Sequence, residues 1–136
     1  MIFNLRPLHK DDYDNTLLGW WKDWGWEAPL KDFLPDNGKG GLMVLDKETP
    51  VCAGFIYMTN SKVALVEWVI SNKNYRKNPE RKEALELLIK SLTNICKDLG
   101  NNYTYALLKH DGLIETYEKV GYTQGDSYTK EMIKKL

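Results

Sequence analysis

The sequence predicts an α/β chain of the α+β kind, a mixed and mostly antiparallel sheet with flanking helices in the order β-α-α-β-β-β-α-β-α-β. Three observations carry this. Residues 41–71 hold three successive runs rich in Val, Ile, Phe, Tyr and Trp, separated by turn-forming residues. A long stretch of helical periodicity follows, bounded by Asn78-Pro79 and Gly100. A strand and a shorter amphipathic stretch come after it. An antiparallel meander thus feeds a strand–helix–strand unit. With 136 residues, the chain reads as a single domain, 1–136.

Taken in order, Ile2 to Arg6 reads as a strand stopped by Pro7. Asp11 or Asp12 caps a helix whose apolar positions are Tyr13, Leu17, Trp20, Trp21 and Trp24, ended by Gly25. Pro29 to Pro35 reads as a short helical segment or loop, and Asn37 to Gly41 as a flexible connection. The meander strands are Gly41 to Leu45, Val51 to Thr59 and Val63 to Ser71, with turns at Asp46–Pro50 and Asn60–Lys62. In the long helix Ala84, Leu85, Leu88, Leu92, Ile95 and Leu99 form one apolar stripe. Tyr103 to Leu108 is a strand. Asp111 caps the last helix, which places Leu113, Tyr117 and Val120 on one face and stops at Gly121. Tyr122 to Ile133 reads as one more strand or a loose hairpin partner.

Composition narrows the function classes. The chain has 19 Lys plus Arg and 19 Asp plus Glu, and a net charge of zero disfavours a dedicated nucleic-acid binder. Sixteen aromatic residues (five Trp, eight Tyr, three Phe) argue against disorder. Cys52 and Cys96 sit among apolar neighbours and read as reduced core thiols. No Cys or His pair has zinc-ligand spacing, so no metal is expected. No apolar run approaches a membrane span and no signal-peptide pattern opens the chain, so the expectation is a cytoplasmic protein with no membrane partner.

The charge is unevenly placed. Lys73, Arg76, Lys77, Arg81 and Lys82 stand with only Glu80 against them, a balance of +4 within ten residues. They lie where a strand turns into the longest helix. A helix N-terminus offers free N–H groups and a positive dipole end, so cations gathered there suit a bound polyphosphate. A solvated charged turn is the plain alternative.

At this point the chain resembles the GNAT superfamily of acyl-CoA-dependent N-acyltransferases, and small phage and bacterial proteins with a Trp-rich first helix are similar. The order of elements matches across nearly the whole length. Val69-Ile70-Ser71-Asn72-Lys73-Asn74-Tyr75-Arg76 looks like the family's fourth strand and the start of its pyrophosphate loop. Tyr117-Glu118-Lys119-Val120-Gly121-Tyr122 looks like its tyrosine-containing segment. The family's loop reads Arg or Gln, two residues, Gly, one residue, then Gly or Ala. Arg76 fits its first position, whereas Pro79 and Arg81 stand where the small residues belong. Those glycines let the backbone approach the pyrophosphate, and Pro79 removes a donor.

The resemblance implies acetyl-CoA as co-substrate and assigns roles. Arg76, Lys77, Asn78, Arg81 and Lys82 would hold the pyrophosphate. Backbone groups of Val69, Ile70 and Ser71 would bind pantetheine where the fourth strand splays from the fifth, and one would polarise the thioester. His110 stands seven residues before Tyr117, where many relatives place an Asn that touches the cofactor. Glu67 would take the proton of the acceptor amine, directly or through water. Strand alternation puts Val66, Trp68 and Ile70 on one face, and an acid flanked by Val66 and Trp68 is partly desolvated, which raises its pKa. Tyr117 would protonate the departing thiolate. Trp24 and Trp26, beside Gly25, would line an acceptor pocket. The residues alone leave alternatives: a salt-bridged Glu67, a helix-packing Tyr117, a surface His110, and a Trp plug over the sheet.

The leading expectation is an N-acetyltransferase in which a small-molecule or peptide amine attacks the thioester directly in a ternary complex; dimers are common in the family. A non-catalytic CoA-binding or protein-interaction module of the same fold is the second reading. An anion- or nucleic-acid-binding module built on Lys73–Lys82 is the third.

Overall fold

The computed structural model describes residues 2–75 and 78–136, Asn78 by its backbone alone. Five strands form one sheet: β1 (Asn4–Pro7), β2 (Gly41–Asp46), β3 (Thr49–Met58), β4 (Val63–Ser71) and β5 (Tyr103–Tyr105). They lie side by side in sequence order. β1 to β4 run antiparallel to their neighbours and β5 runs parallel to β4. A parallel pair needs a crossover, which α2 (Asn78–Asp98) supplies. This is the fold class the sequence predicts.

The sheet carries a core on each face. On one, α1 (Leu18–Trp24) and the turns before and after it cover Met43, Ala53, Phe55 and Ile70 with Leu17, Trp20, Trp21 and Leu34. On the other, α2 covers Val44, Cys52, Ala64 and Val66 with Ala84, Leu88, Ile89, Leu92 and Cys96. α3 (Asp111–Lys119) joins that second core through Tyr117. Each fully buried Val, Leu, Ile, Phe or Met among them contributes about 1.5–3 kcal/mol. Cys52 and Cys96 are free buried thiols.

Four local expectations change. Asp12 does not cap the first helix: its own backbone is already helical (φ −63°, ψ −41°). Its carboxylate instead accepts from Arg6 Nη1 and Nη2 at 2.8 and 3.0 Å and from the His9 amide, tying β1 to the π-helical turn Tyr13–Leu17 that precedes α1. In α2 the buried stripe runs through Ile89 and Cys96, while Leu99 lies past the helix end and is exposed. α3 takes His110 as its N-cap, with no side-chain cap bond, and Asp111 is its first residue.

The fourth change concerns the C-terminus. No strand forms among described residues after Tyr122, and 123–136 are exposed. The run Thr123-Gln124-Gly125-Asp126-Ser127 is poor in strand formers. β5 is likewise shorter than expected, because the chain leaves β4 after Tyr105.

Candidate active site

The site is made by a bulge. β3 and β4 pair Ala53 with Ile70 and Phe55 with Glu67, so Gly54 faces both Trp68 and Val69. Trp68 holds φ at +56°, a backbone region that bulky residues rarely adopt and that costs about 1–3 kcal/mol. The extra residue breaks the alternation expected here. Val66 packs on the α2 side, whereas Trp68 and Ile70 pack on the α1 side. Glu67 pairs with Phe55, which belongs to the α1-side core.

Just before the bulge β4 and β5 diverge. Their ladder ends at Leu65–Tyr105. Across the gap the Leu107 amide donates to Glu67 Oε1 at 2.7 Å instead of to a backbone carbonyl. Burial pushes the Glu67 carboxyl up to about 7, although the Leu107 N–H favours the ionised form. A glutamate poised near neutrality can accept a proton and release it again.

Tyr117 reaches the same point of β4 from the other core. Its hydroxyl donates to the Val66 carbonyl at 2.8 Å, and its ring stands edge-on to Tyr122 with centroids 4.9 Å apart. The side chain is only 1% exposed. Burial, with the nearby Glu67 and Tyr122, raises its pKa above the ordinary phenol value, so the proton stays on. A carboxyl that titrates near neutrality and a phenol that keeps its proton therefore meet at adjacent residues of one strand.

A cavity of about 300 Å³ opens further along β4, at Val69 and Ser71. Val69 and Ser71 from β4 form one wall, and Gly112 and Leu113 of α3 another, with Leu85 of α2 between. Trp24, Trp26 and His110 complete the lining. The Trp24 indole N–H donates to the Ser71 carbonyl at 2.8 Å, tying the end of α1 to the end of β4. Trp26 stacks between Trp24 (5.3 Å) and His110 (4.5 Å). Lys73 Nζ lies 5.3 Å and Arg81 Cζ 5.8 Å from the Trp24 ring centroid, both as cation–π contacts. A larger, more polar hollow of about 460 Å³ lies between α2 and α3 and holds none of the sequence-predicted site residues.

Trp24, Trp26, Val69, Ser71 and His110 thus line one cavity. The Trp24–Ser71 bond draws the two tryptophans onto the wall that Val69 and Ser71 make. Ile70 is 1% exposed and turns its side chain into the α1-side core rather than toward the cavity. Arg81 Nη1 donates to the carbonyls of Lys73 and Tyr75, both at 3.3 Å, so its guanidinium pins the loop before α2. Lys82 is exposed on α2. Arg76, Lys77 and the Asn78 side chain lie outside the described residues. Sequence reasoning missed the left-handed Trp68, for which alternation carries no signal, and the Leu107 amide, forty residues from its partner. It also missed Tyr75, whose hydroxyl donates to Asp46 Oδ2 at 2.7 Å and anchors the same loop.

No protein-family model matches the sequence, and neither does any curated protein. Solved structures do match in fold. Glucosamine-6-phosphate N-acetyltransferase from Arabidopsis thaliana superposes with a TM-score of 0.66 at 12% identity, covering 98% of this chain and 100% of that one. An aminoglycoside acetyltransferase from an uncultured soil sample gives 0.65 at 10%, covering 97% and 95%. N-acetylglutamate synthase from Neisseria gonorrhoeae, complexed with coenzyme A and N-acetyl-glutamate, gives 0.71 at 10%; the match covers 93% of this chain and 29% of that protein. The chain thus has a GNAT-like fold, shared with these acetyltransferases.

Proposed function

We propose that this chain is an acyl-CoA-dependent N-acyltransferase that uses acetyl-CoA and passes the acetyl group to an amine in a ternary complex. One observation carries the reading: at the divergence of β4 and β5, a glutamate raised to about 7 and a protonated tyrosine meet adjacent residues of one bulged strand.

The cavity fits the thioester end of such a donor. Its lining is mostly apolar, as a pantetheine arm requires, and it runs along β4 past the bulge, where the ladder to β5 has ended. Acetyl-CoA supplies an activated acyl carbon and a thiolate leaving group. Glu67 accepts a proton from the ammonium form of the acceptor, which frees the lone pair that attacks the thioester carbon. Backbone N–H groups of the bulged strand stabilise the charge that develops on the carbonyl oxygen. As the C–S bond breaks, Tyr117 exchanges the Val66 carbonyl for the sulfur and gives it the phenolic proton; the second proton leaves the amide nitrogen to water, and water returns one to the phenolate. Lys82, with Arg76, Lys77 and the first turn of α2, supports the pyrophosphate. Trp24, Trp26 and His110 wall the cleft. The buried thiols Cys52 and Cys96 lie in the α2-side core, take no part, and suit a reducing cytoplasm. Among the described residues no helix is long and apolar enough to cross a membrane.

Calorimetric titration with acetyl-CoA and CoA tests the reading. Saturable binding of both supports it, and no heat at millimolar ligand overturns it. A second reading, a CoA-binding or protein-interaction module without catalysis, is favoured by Pro79 and by Arg81 lying on loop carbonyls. Binding of acetyl-CoA without thiol release across a broad amine panel would select it.

A further inference from the structure

On the α1 face of the sheet, opposite Tyr117, the surroundings of Glu67 are aromatic. The Phe33 and Trp68 rings meet edge-on with centroids 6.0 Å apart. The Tyr57 hydroxyl donates to the Phe33 carbonyl at 2.8 Å and also faces the Trp68 side chain. Tyr57 follows Phe55, the cross-strand partner of Glu67, by two residues, so both tyrosine and glutamate belong to the same face. Across the divergence stand Tyr105 and Leu107, which carries the amide bound to Glu67. These groups are open to solvent: Phe33 is 46% exposed, Tyr105 45% and Leu107 59%.

The Tyr105 hydroxyl shares a hydrogen bond with Tyr128 of the C-terminal segment, and the carboxylates of Glu67 and Asp126 act on it as well; Glu67 also acts on Tyr57. Lys31, the cation nearest in sequence to Phe33, is turned away to Asp14 (3.2 Å) and the Tyr13 ring. The cationic segment Lys73–Lys82 follows the far end of β4. A phosphate or carboxylate on the acceptor would meet the like charge of the Glu67 carboxylate. An ammonium would be drawn by Glu67 and by electron-rich ring faces, and a flat apolar body would cover exposed aromatic area.

We infer that the acceptor is a primary amine on an aromatic or apolar body, without anionic groups, seated on Phe33, Tyr57, Trp68 and Tyr105 with its nitrogen at Glu67. This rests on the acyltransferase reading and separates the acceptor from the cavity that Trp24 and Trp26 wall. It also sets this chain apart from neighbours named for a phosphorylated acceptor or an acidic product.

The test compares tryptamine with glucosamine 6-phosphate, using the whole chain, acetyl-CoA and a free-thiol assay. Tryptamine is expected to give a kcat/KM higher by about tenfold or more, the scale of one or two cation–π and ring contacts. Phe33→Ala, a half-exposed position, is expected to raise the tryptamine KM about tenfold and leave the acetyl-CoA KM within about twofold. A higher kcat/KM with glucosamine 6-phosphate, or a tryptamine KM that Phe33→Ala does not move, overturns the acceptor assignment while the acyltransferase reading stands. Saturation-transfer NMR with tryptamine alone gives a readout free of turnover. Binding that Phe33→Ala weakens supports the assignment, and no binding at millimolar amine overturns it. Failure of acetyl-CoA itself to bind overturns both.

Discussion

Replacing Glu67 with Gln separates catalysis from stability at one position. The amide keeps an oxygen for the Leu107 N–H, now 2.7 Å from Oε1, but cannot take up a proton. Loss of a positioned general base lowers kcat by about 10²–10⁴. Stability moves the other way. Burial raises the carboxyl from 4.5 to about 7, so folding disfavours the carboxylate by about 3 kcal/mol at most, less where solvent reaches the group. Between those two pH values the folded state holds a proton that the unfolded chain releases. The native protein therefore loses this stability as pH rises through 7, and the Gln variant does not. Urea melts at pH 4.5 and pH 8.5 should show the variant gaining about 1–3 kcal/mol on the native chain across that interval. In parallel, kcat/KM of the native enzyme should rise with pH through about 7 with a limb that the variant lacks. A variant with unchanged turnover, or a stability difference flat between the two pH values, would refute the reasoning.

Tyr117→Phe removes the donor to the Val66 carbonyl, leaving a buried acceptor unpaired at a cost of about 1–2 kcal/mol. If Tyr117 is the acid, kcat falls about 10²-fold or more while acetyl-CoA affinity changes little, which stopped-flow binding against steady-state turnover resolves. Asp12→Asn breaks the bidentate bond from Arg6 and should cost about 1.5–3 kcal/mol near pH 7. The Asp12 carboxyl is pushed up by burial, yet the Arg6 bonds and His9 amide hold it below 3.8. Its contribution is present above that value and lost as pH falls through the lowered one, so the gap between variant and native melts should close in acid. Gly41→Ala would drive a Cβ into the Gly54 carbonyl and part β2 from β3 where Gly41 faces Phe55. A loss of about 2–3 kcal/mol, or failure to fold, is the expected result by circular dichroism, and an unchanged melt would contradict the register.

The meander was legible because its three runs combine β-branched and aromatic residues with compact turns, and α2 because its stripe, Pro79 and Gly100 agree. Glu67 was legible as an acid in an apolar strand. Its partner was not, since Leu107 meets it only after the α2 crossover returns the chain. The bulge left no trace in the pattern: Val66, Trp68 and Ile70 alternate perfectly on paper, and only the pairing of two β4 residues against Gly54 sends them to different faces. Asp12 looked like a cap because capping and ion pairing use the same carboxylate, and the choice depended on Arg6 from another element. That Trp24 lies on the wall made by Val69 and Ser71 was not legible, because nothing local announces a bond to Ser71, 47 residues onward.

The central claim is that the divergence of β4 and β5 receives an acyl-CoA thioester between Glu67 and Tyr117. A crystal structure of the chain soaked with CoA tests it most directly. The expected result is the thiol end between Val69–Ser71 and Leu113, with the Tyr117 hydroxyl turned from the Val66 carbonyl to the sulfur. CoA bound elsewhere, or a filled cleft with the sulfur beyond hydrogen-bond reach of Tyr117, would contradict it.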